Sequence, residues 1–336
     1  MTQMQTLILI FAGSVLCSFL ATVLLEKKFI PFLMRIKMGQ KILDIGPRWH
    51  KNKEGTPTMG GLFFIAGILI SFALFAVVSI VKTKDMATLA VLGFMILSGA
   101  IGFVDDFTKF VKKQNKGLSA MQKLVLQFAS AALFLWAMSA SGAITSTAIP
   151  IPFFGVELEL GVFYWIFCLF FIAFTVNSVN LTDGIDGLAG SITLAITLFF
   201  AAVLFSLSIL QPSFFTARLT LAGGLIGGLI GFLFYNIHPA RIFMGDTGSL
   251  FLGGAVVGLS FLVGQPLIIV IVGLMYFVEV FSVIIQVLSF KLTGKRVFKM
   301  SPIHHHFEMC GWGEQKIVFI FTLITLVLCA LSYFLF

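Results

Sequence analysis

Ten times along this chain an apolar run continues for about 17 residues or more, roughly at 4–25, 58–81, 87–104, 120–140, 161–177, 188–209, 218–235, 247–263, 266–290 and 316–335. Each can cross a hydrocarbon core of about 30 Å as a helix. With no water to hydrogen-bond the backbone there, only helix bundles and closed barrels are viable. The runs are continuous and do not alternate, so helices are expected. Charged residues make up 11% of the chain, against about 25% in soluble domains, and no polar stretch is long enough for a soluble domain. The expectation is an all-α, polytopic membrane bundle of about ten spans, read as one domain over 1–336. The ninth span has Pro266 at its mouth and Glu279 inside, and is expected to be broken or bent. The first has no basic stretch before it and no clear cleavage site, so it reads as a retained helix.

The basic residues give an orientation. With both termini outside, the inner loops are 26–57, 105–123, 178–187, 236–246 and 291–316, and they hold 19 of the 22 Lys and Arg. Lys82, Lys84 and Arg218 fall outside. That asymmetry follows the positive-inside rule. The net charge of +8 then belongs to the cytoplasmic surface, where it suits anionic lipid headgroups or a phosphorylated substrate.

Five aspartates sit against the inner ends of spans, in three loops: Asp105 and Asp106 in "GFVDDFTKF", Asp183 and Asp186 in "NLTDGIDG", and Asp246 in "FMGDTGS". Asp183 and Asp246 also suit helix N-caps, and Asp186 suits a first turn. Asp105 and Asp106 fall where the third span is expected to end, and a helix C-terminus disfavours negative charge. Lys109, Lys112, Lys113 or a metal ion would have to offset them. Asn177 and Asn180 precede Asp183 and Asp186 in steps of three. A polar face at a span end, aimed into a bundle, marks a functional cavity.

Three further stretches carry polar chemistry. "FYNIHPARIFMGDTGSL" offers Asn236, His238, Arg241 and Phe243, the last suited equally to stacking on a base or to packing at the interface. "KMSPIHHHFEMCGWGEQK" places His304, His305 and His306 in an inner loop, where phosphate contact or proton transfer is open to them and zinc-ligand spacing is lacking. "HKNKEGTPTMGG" puts His50, Lys51 and Lys53 before the second span. Residues 26–42 alternate basic and apolar types and suit a membrane surface. Gly223, Gly227 and Gly231 read as a helix-packing face, and Gln286 shares a face of the ninth span with Glu279. The four cysteines form no CxxC pair, so neither a disulfide framework nor a zinc site follows.

Hard carboxylate oxygens with few histidine partners suit Mg²⁺ together with substrate phosphates. Phosphoryl transfer needs mainly positioning and charge neutralisation, which aspartates, lysines and Mg²⁺ supply. An inner-rim site can meet a soluble phosphorylated donor and a lipid acceptor together. There is no Walker motif. An ion-coupled transporter would place acids near the bilayer midplane, where only Glu279 fits. A scaffold leaves five rim aspartates unexplained.

"TPTMGG", "GFVDDFTKF", "NSVNLTDGIDGLAG", "FYNIHPARIFMGDTGSL" and "SPIHHHFE" together resemble the polyprenyl-phosphate N-acetylhexosamine-1-phosphate transferase superfamily. The His triplet after Ser-Pro-Ile is similar to its phospho-N-acetylmuramoyl-pentapeptide transferase branch. The resemblance covers essentially the whole chain. It implies that UDP-N-acetylmuramoyl-pentapeptide and undecaprenyl phosphate give UMP and lipid I with Mg²⁺ as cofactor, the first membrane step of peptidoglycan synthesis in the bacterial cell membrane. It implies catalytic roles for Asp105, Asp106, Asp246 and the triplet, and metal binding by Asp246 and Asn177. It further implies substrate contacts by Lys53, Lys109, Lys123, Asn180, Asp183, Asp186, Asn236, Phe243 and, from a groove on the ninth helix, Gln286. Lys123 is matched only through the looser "KLVLQ". A homodimer is implied too, and no nucleic-acid partner is expected. One aspartate, Asp105 by preference, would deprotonate the lipid phosphate for attack on the donor's β-phosphate; a covalent phospho-aspartate is the alternative. A sister-branch enzyme using another UDP-N-acetylhexosamine is the closest competing reading.

Overall fold

The computed structural model describes residues 2–36, 53–112, 114, 116–152 and 154–335. His50, Lys51, Lys113 and the 37–42 part of the basic-apolar stretch lie outside them. Among the described residues nine helices are long and apolar enough to cross a membrane, or ten if one bent pair counts as a span.

Helix α1 (Gln3–Arg35) runs unbroken through Pro31, about 50 Å at 1.5 Å per residue. Residues 26–35 therefore continue the first span and form no separate surface segment. Helices α2 (Gly61–Phe75) and α3 (Val77–Thr83) are bent by 54° at Ala76. Helix α4 (Met86–Val111) starts on Asp85, whose carboxylate accepts from Thr88. Helix α5 (Ala120–Ala140) opens on a reciprocal capping box between Ser119 and Gln122, which puts Lys123 in its first turns. A two-stranded antiparallel hairpin, β1 (Ala148–Ile151) and β2 (Val156–Glu159), precedes α6 (Phe163–Thr182). It is the one departure from all-α among the described residues.

Helix α7 (Leu188–Leu207) follows Gly187, whose φ of +80° suits glycine. Then come α8 (Pro212–Asn236) and α9 (Gly245–Leu262). The ninth apolar run is interrupted, as expected: a 3-10 turn over Pro266–Ile268 leads into α10 (Ile269–Val272), and Gly273 separates it from α11 (Leu274–Thr293). The triplet forms the short α12 (Ile303–Glu308), and α13 (Glu314–Tyr333) closes the chain.

Helices α8 and α9 are buried along nearly their whole length, and the others surround them. Glycine makes this possible. A Cβ at Gly227 would overlap the Val15 carbonyl of α1, and one at Gly102 the Asp246 carbonyl of α9. The Gly223–Gly231 face thus packs on α1, and α4 lies against the start of α9. Leu and Phe side chains on α1, α5, α11 and α13 remain outward, as lipid-facing helices require.

Candidate active site

Two helices meeting at one rim create the centre of the site. Helix α4 does not end before its aspartates. It runs on to Val111, so Asp105 and Asp106 lie inside it, clear of the unfavourable terminus. Gly245 opens α9 at φ +70°, and a side chain there would press on the Asp106 carboxylate. Asp246 is the next residue, in the first turn of α9, where the dipole favours negative charge. Oxygens of Asp105, Asp106 and Asp246 come within 4.8 Å of one another.

Two lysines hold these charges. Lys109 Nζ lies 2.6 Å from Asp105 Oδ2, 3.0 Å from Asp246 Oδ2 and 3.6 Å from Asp106 Oδ1. Lys123 Nζ reaches the same Asp246 oxygen at 2.9 Å. The Asn180 amide donates to Asp246 Oδ1 at 2.9 Å and to the Ser249 hydroxyl at 2.7 Å. Asp105 Oδ1 accepts from the Leu118 N–H at 2.8 Å, so both its oxygens are engaged. Asp106 Oδ2 accepts from Thr247, and its Oδ1 is buried with no hydrogen-bond partner. Three hard carboxylates, one with an oxygen unbonded, around a point that an ammonium already favours, fit a small divalent cation such as Mg²⁺.

A pocket of about 240 Å³ opens beside the triad, lined among others by Lys53, Asp183, Asp186, Phe243 and Asp246. Asp183 caps the C-terminus of α6, and Gly187 is the N-cap of α7; neither Asp183 nor Asp246 is an N-cap. Asp183 is half-buried. Burial first, then the charges of Asp246, Asp106 and Asp186, push its carboxyl up to about 8. Phe243 is held by its neighbours' backbone: its N–H donates to Pro57 and its carbonyl accepts from Gly60. "TPTMGG" and "IFMG" are therefore tied together, and Phe243 is among the residues that line the pocket.

Other expected site residues serve the frame in this structure. The Asn177 carboxamide pairs with Gln127 at 2.7 and 3.3 Å and donates to the Ala173 carbonyl, one turn before Asn180. Asn236 accepts the Gly187 N–H and donates to the Ile242 carbonyl, tying the third inner loop to the fourth at the pocket wall. Gln286 accepts from the Val297 and Phe298 N–H groups and donates to the Phe298 carbonyl; it anchors the segment after α11. His304 is fully buried, with Nδ1 3.0 Å from Glu279 Oε2, and its ring presses on Gly184. This accounts for Glu279, which the sequence left unassigned. His305 pairs with Glu308 at 2.6 Å, and His306 Nδ1 accepts the Lys299 N–H.

The sequence did not point to Gln127, Thr247, Ser249 or Glu314. Thr247 and Ser249 stand within the quoted "MGDTGS", beside Asp246 on a helix start, and that position was the available signal. Gln127 and Glu314 carried none.

Fold and site together define a multi-pass membrane protein with an acid-and-lysine centre at one rim of its bundle. Comparison with known proteins makes this specific. The glycosyl transferase family 4 model matches residues 88–264, and a phospho-N-acetylmuramoyl-pentapeptide-transferase signature matches residues 53–65. The chain is 46% identical over 320 residues to the phospho-N-acetylmuramoyl-pentapeptide-transferase of Clostridium kluyveri, covering 95% of this chain and 97% of the relative. It is 44% identical to that of Caldanaerobacter subterraneus subsp. tengcongensis, covering 95% and 96%, and 42% identical to that of Clostridium perfringens over the same shares. The chain belongs to the phospho-N-acetylmuramoyl-pentapeptide-transferase family, within glycosyl transferase family 4, and is an enzyme of the glycosyl-1-phosphate transferase type.

Proposed function

We propose that the protein transfers phospho-N-acetylmuramoyl-pentapeptide from its UDP-linked donor to undecaprenyl phosphate. A phosphate oxygen of the lipid bonds to the donor's β-phosphorus, the bond from that phosphorus to the bridging oxygen breaks, and UMP leaves with the electron pair; lipid I is the other product. The supporting observation is the triad of Asp105, Asp106 and Asp246 with Lys109 and Lys123 at the rim of a membrane bundle, in a chain of this family.

Asp105 and Asp246, between which the Lys109 ammonium lies, would hold Mg²⁺, which would neutralise charge on the transferring phosphates. Lys109 and Lys123 hold Asp246 in place and add positive charge for the donor. Asn180 fixes the other Asp246 oxygen. Phe243 offers a flat face to the donor's base. Because both Asp105 oxygens are engaged, the geometry favours Asp106 over Asp105 for a proton from the lipid phosphate. The site is assigned to the cytoplasmic face, with both termini outside, on the distribution of Lys and Arg; the homodimer rests on the family resemblance alone.

The test uses purified protein in detergent with undecaprenyl phosphate and Mg²⁺. UDP-N-acetylmuramoyl-pentapeptide and UDP-N-acetylglucosamine are supplied separately, and UMP release is followed. The expected result is UMP from the muramoyl donor alone, abolished by EDTA and in Asp246→Asn. Release from the other donor would move the protein to the sister branch, and no release from either would overturn the transferase reading.

A further inference from the structure

A second cluster of charge lies across the pocket from the triad. Lys53 Nζ is 2.7 Å from Asp186 Oδ1 and 2.6 Å from Glu314 Oε2. The same Glu314 oxygen accepts the Asp186 backbone N–H at 3.2 Å and lies 3.7 Å from His238 Nδ1. His238 Nδ1 is 3.0 Å from the other Asp186 oxygen, which also accepts the Ala240 N–H. One carboxylate, on the first residue of α13, thus gathers the loop before α2, the turn before α7 and the loop after α8.

Asp186, His238 and Glu314 also have the spacing of a metal site, their ligand atoms lying within 4.8 Å of one another. But the Lys53 ammonium already lies between the two carboxylates, within salt-bridge distance of each, and answers their charge. The cluster is a clamp on a lysine. Lys53 and Asp186 line the pocket, while Glu314 stands behind them and is nearly buried.

We propose that Glu314 is a positioning residue for the anionic donor: it holds Lys53, with Asp186, at the pocket edge before the donor arrives. This rests on the transferase reading above. An ammonium has three N–H donors. Two are taken by Asp186 and Glu314, and among the described residues the third has no partner, which leaves it for the pocket occupant. A lysine stem left loose would have to be ordered on binding, at the expense of affinity. The substrate-free clamp removes that cost in advance. The same oxygen also holds the Asp186 N–H, so the turn carrying Asp183 and the lysine facing it keep a fixed separation. Because Glu314 touches Lys53 and not the triad, its loss acts on donor binding more than on the chemical step.

The test compares full-length wild type, Glu314→Gln, Glu314→Asp, Lys53→Ala and Lys53→Ala/Glu314→Gln in detergent. KM for each substrate and kcat are measured by UMP release, and UDP alone is titrated as an equilibrium ligand. Glu314→Gln is expected to raise the donor KM and the UDP Kd about tenfold, the order of a lost charge-assisted hydrogen bond. Its kcat and its KM for undecaprenyl phosphate are expected to stay within about twofold, well below that effect. Glu314→Asp restores part of the loss, which a purely structural role would not produce. The double variant matches Lys53→Ala alone, because the two residues act as one unit.

Unchanged or tighter donor and UDP binding in Glu314→Gln would overturn the proposal, the latter making Glu314 a competitor for Lys53. Additive losses in the double variant would overturn it as well. If wild type releases no UMP from the muramoyl donor, the transferase reading fails by itself, and the UDP titration still decides on the clamp. If Glu314→Gln does not fold, the same two comparisons are made with Glu314→Asp.

Discussion

Asp106, inside α4, accepts two hydrogen bonds on one oxygen from Thr247 at the start of α9, the N–H at 2.9 Å and the hydroxyl at 2.8 Å. The other oxygen faces the triad without a hydrogen-bond partner. A helix N-terminus therefore fixes the carboxylate and leaves one lone-pair edge for chemistry.

Thr247→Val removes the hydroxyl and keeps the N–H. It is expected to cost about 1 kcal/mol of stability and to lower kcat by less than about tenfold, while Thr247→Ser stays near wild type. Asp106→Asn keeps the shape but loses the charge, and is expected to lower kcat by 10²-fold or more, the order seen when an electrostatic contact at a reacting centre is removed. Thermal melts beside UMP release check both. Equal loss in Thr247→Val and Asp106→Asn would show that the hydroxyl, not the carboxylate, carries the effect.

Gly184 lies between the two aspartates of the pocket turn, and a Cβ there would overlap His304 Nε2. The ring cannot swing away cheaply, because Glu279 holds it from the other side and both side chains are fully buried. Gly184→Ala is expected to cost about 1–3 kcal/mol, as overpacking does, and to shift the Asp183–Asp186 turn. Donor KM should rise more than the acceptor KM. Gly264→Ala is the contrast: its φ of +73° strains any side chain, but no atom lies within 4 Å of the added Cβ, so stability changes without a donor effect. Equal KM shifts for the two substrates in Gly184→Ala would count against the seat on His304.

The spans, the breaks in the ninth run and the glycine face of α8 were legible because a membrane forces hydropathy and helix to coincide. That equation fails at the rim. The charge of Asp105 ends an apolar run, yet α4 continues to Val111, and the pair sits inside the helix, more than one turn before its end. The hairpin was also missed, although Glu157 and Glu159 alternate with Val156 and Leu158 at period two; four-residue strands are too short for the pattern to stand out. Of the site, the aspartates and pocket aromatic were legible as polar or turn residues at span ends. Contacts such as Lys53–Glu314 join residues 261 positions apart, and no local period records them. Asn177 and Gln286 show the converse: a polar residue in a matching motif can hold the frame that positions its neighbours.

At the opposite rim, Arg218 links two helix ends. Its Nε and Nη2 donate to the Asp85 carboxylate that caps α4, at 3.1 and 3.3 Å, and its Nη1 donates to the Leu262 carbonyl at the end of α9. Asp85 is buried. Arg218→Met would leave that charge unpaired, and is expected to cost about 3–5 kcal/mol as a lower melting temperature in detergent. Asp85→Asn/Arg218→Met should recover part of the loss. Donor and acceptor KM below the melt stay at wild-type values, since the site is at the far end of α4 and α9. A double variant no more stable than Arg218→Met would remove the ion-pair account.

Asp183 makes the stability of the fold fall as pH rises towards the alkaline side of neutral. Its carboxyl is pushed from 3.8 in the free residue up to about 8 in the fold, by burial first and then by Asp246, Asp106 and Asp186. The unfolded chain releases the proton near its ordinary value, while the folded chain keeps it until about 8. Folding therefore favours the protonated form. The associated stability is full at low pH and declines as pH rises through that window. In EDTA, the melting temperature of wild type is expected to fall between about pH 6 and pH 8. Asp183→Asn has no proton to lose there, so its curve should be flatter and should lie above wild type at the alkaline end. Mg²⁺ near the triad opposes the same negative charges and should reduce the wild-type slope. Parallel curves for wild type and Asp183→Asn in EDTA would mean that Asp183 is already ionised at neutral pH and that the pocket tolerates its charge.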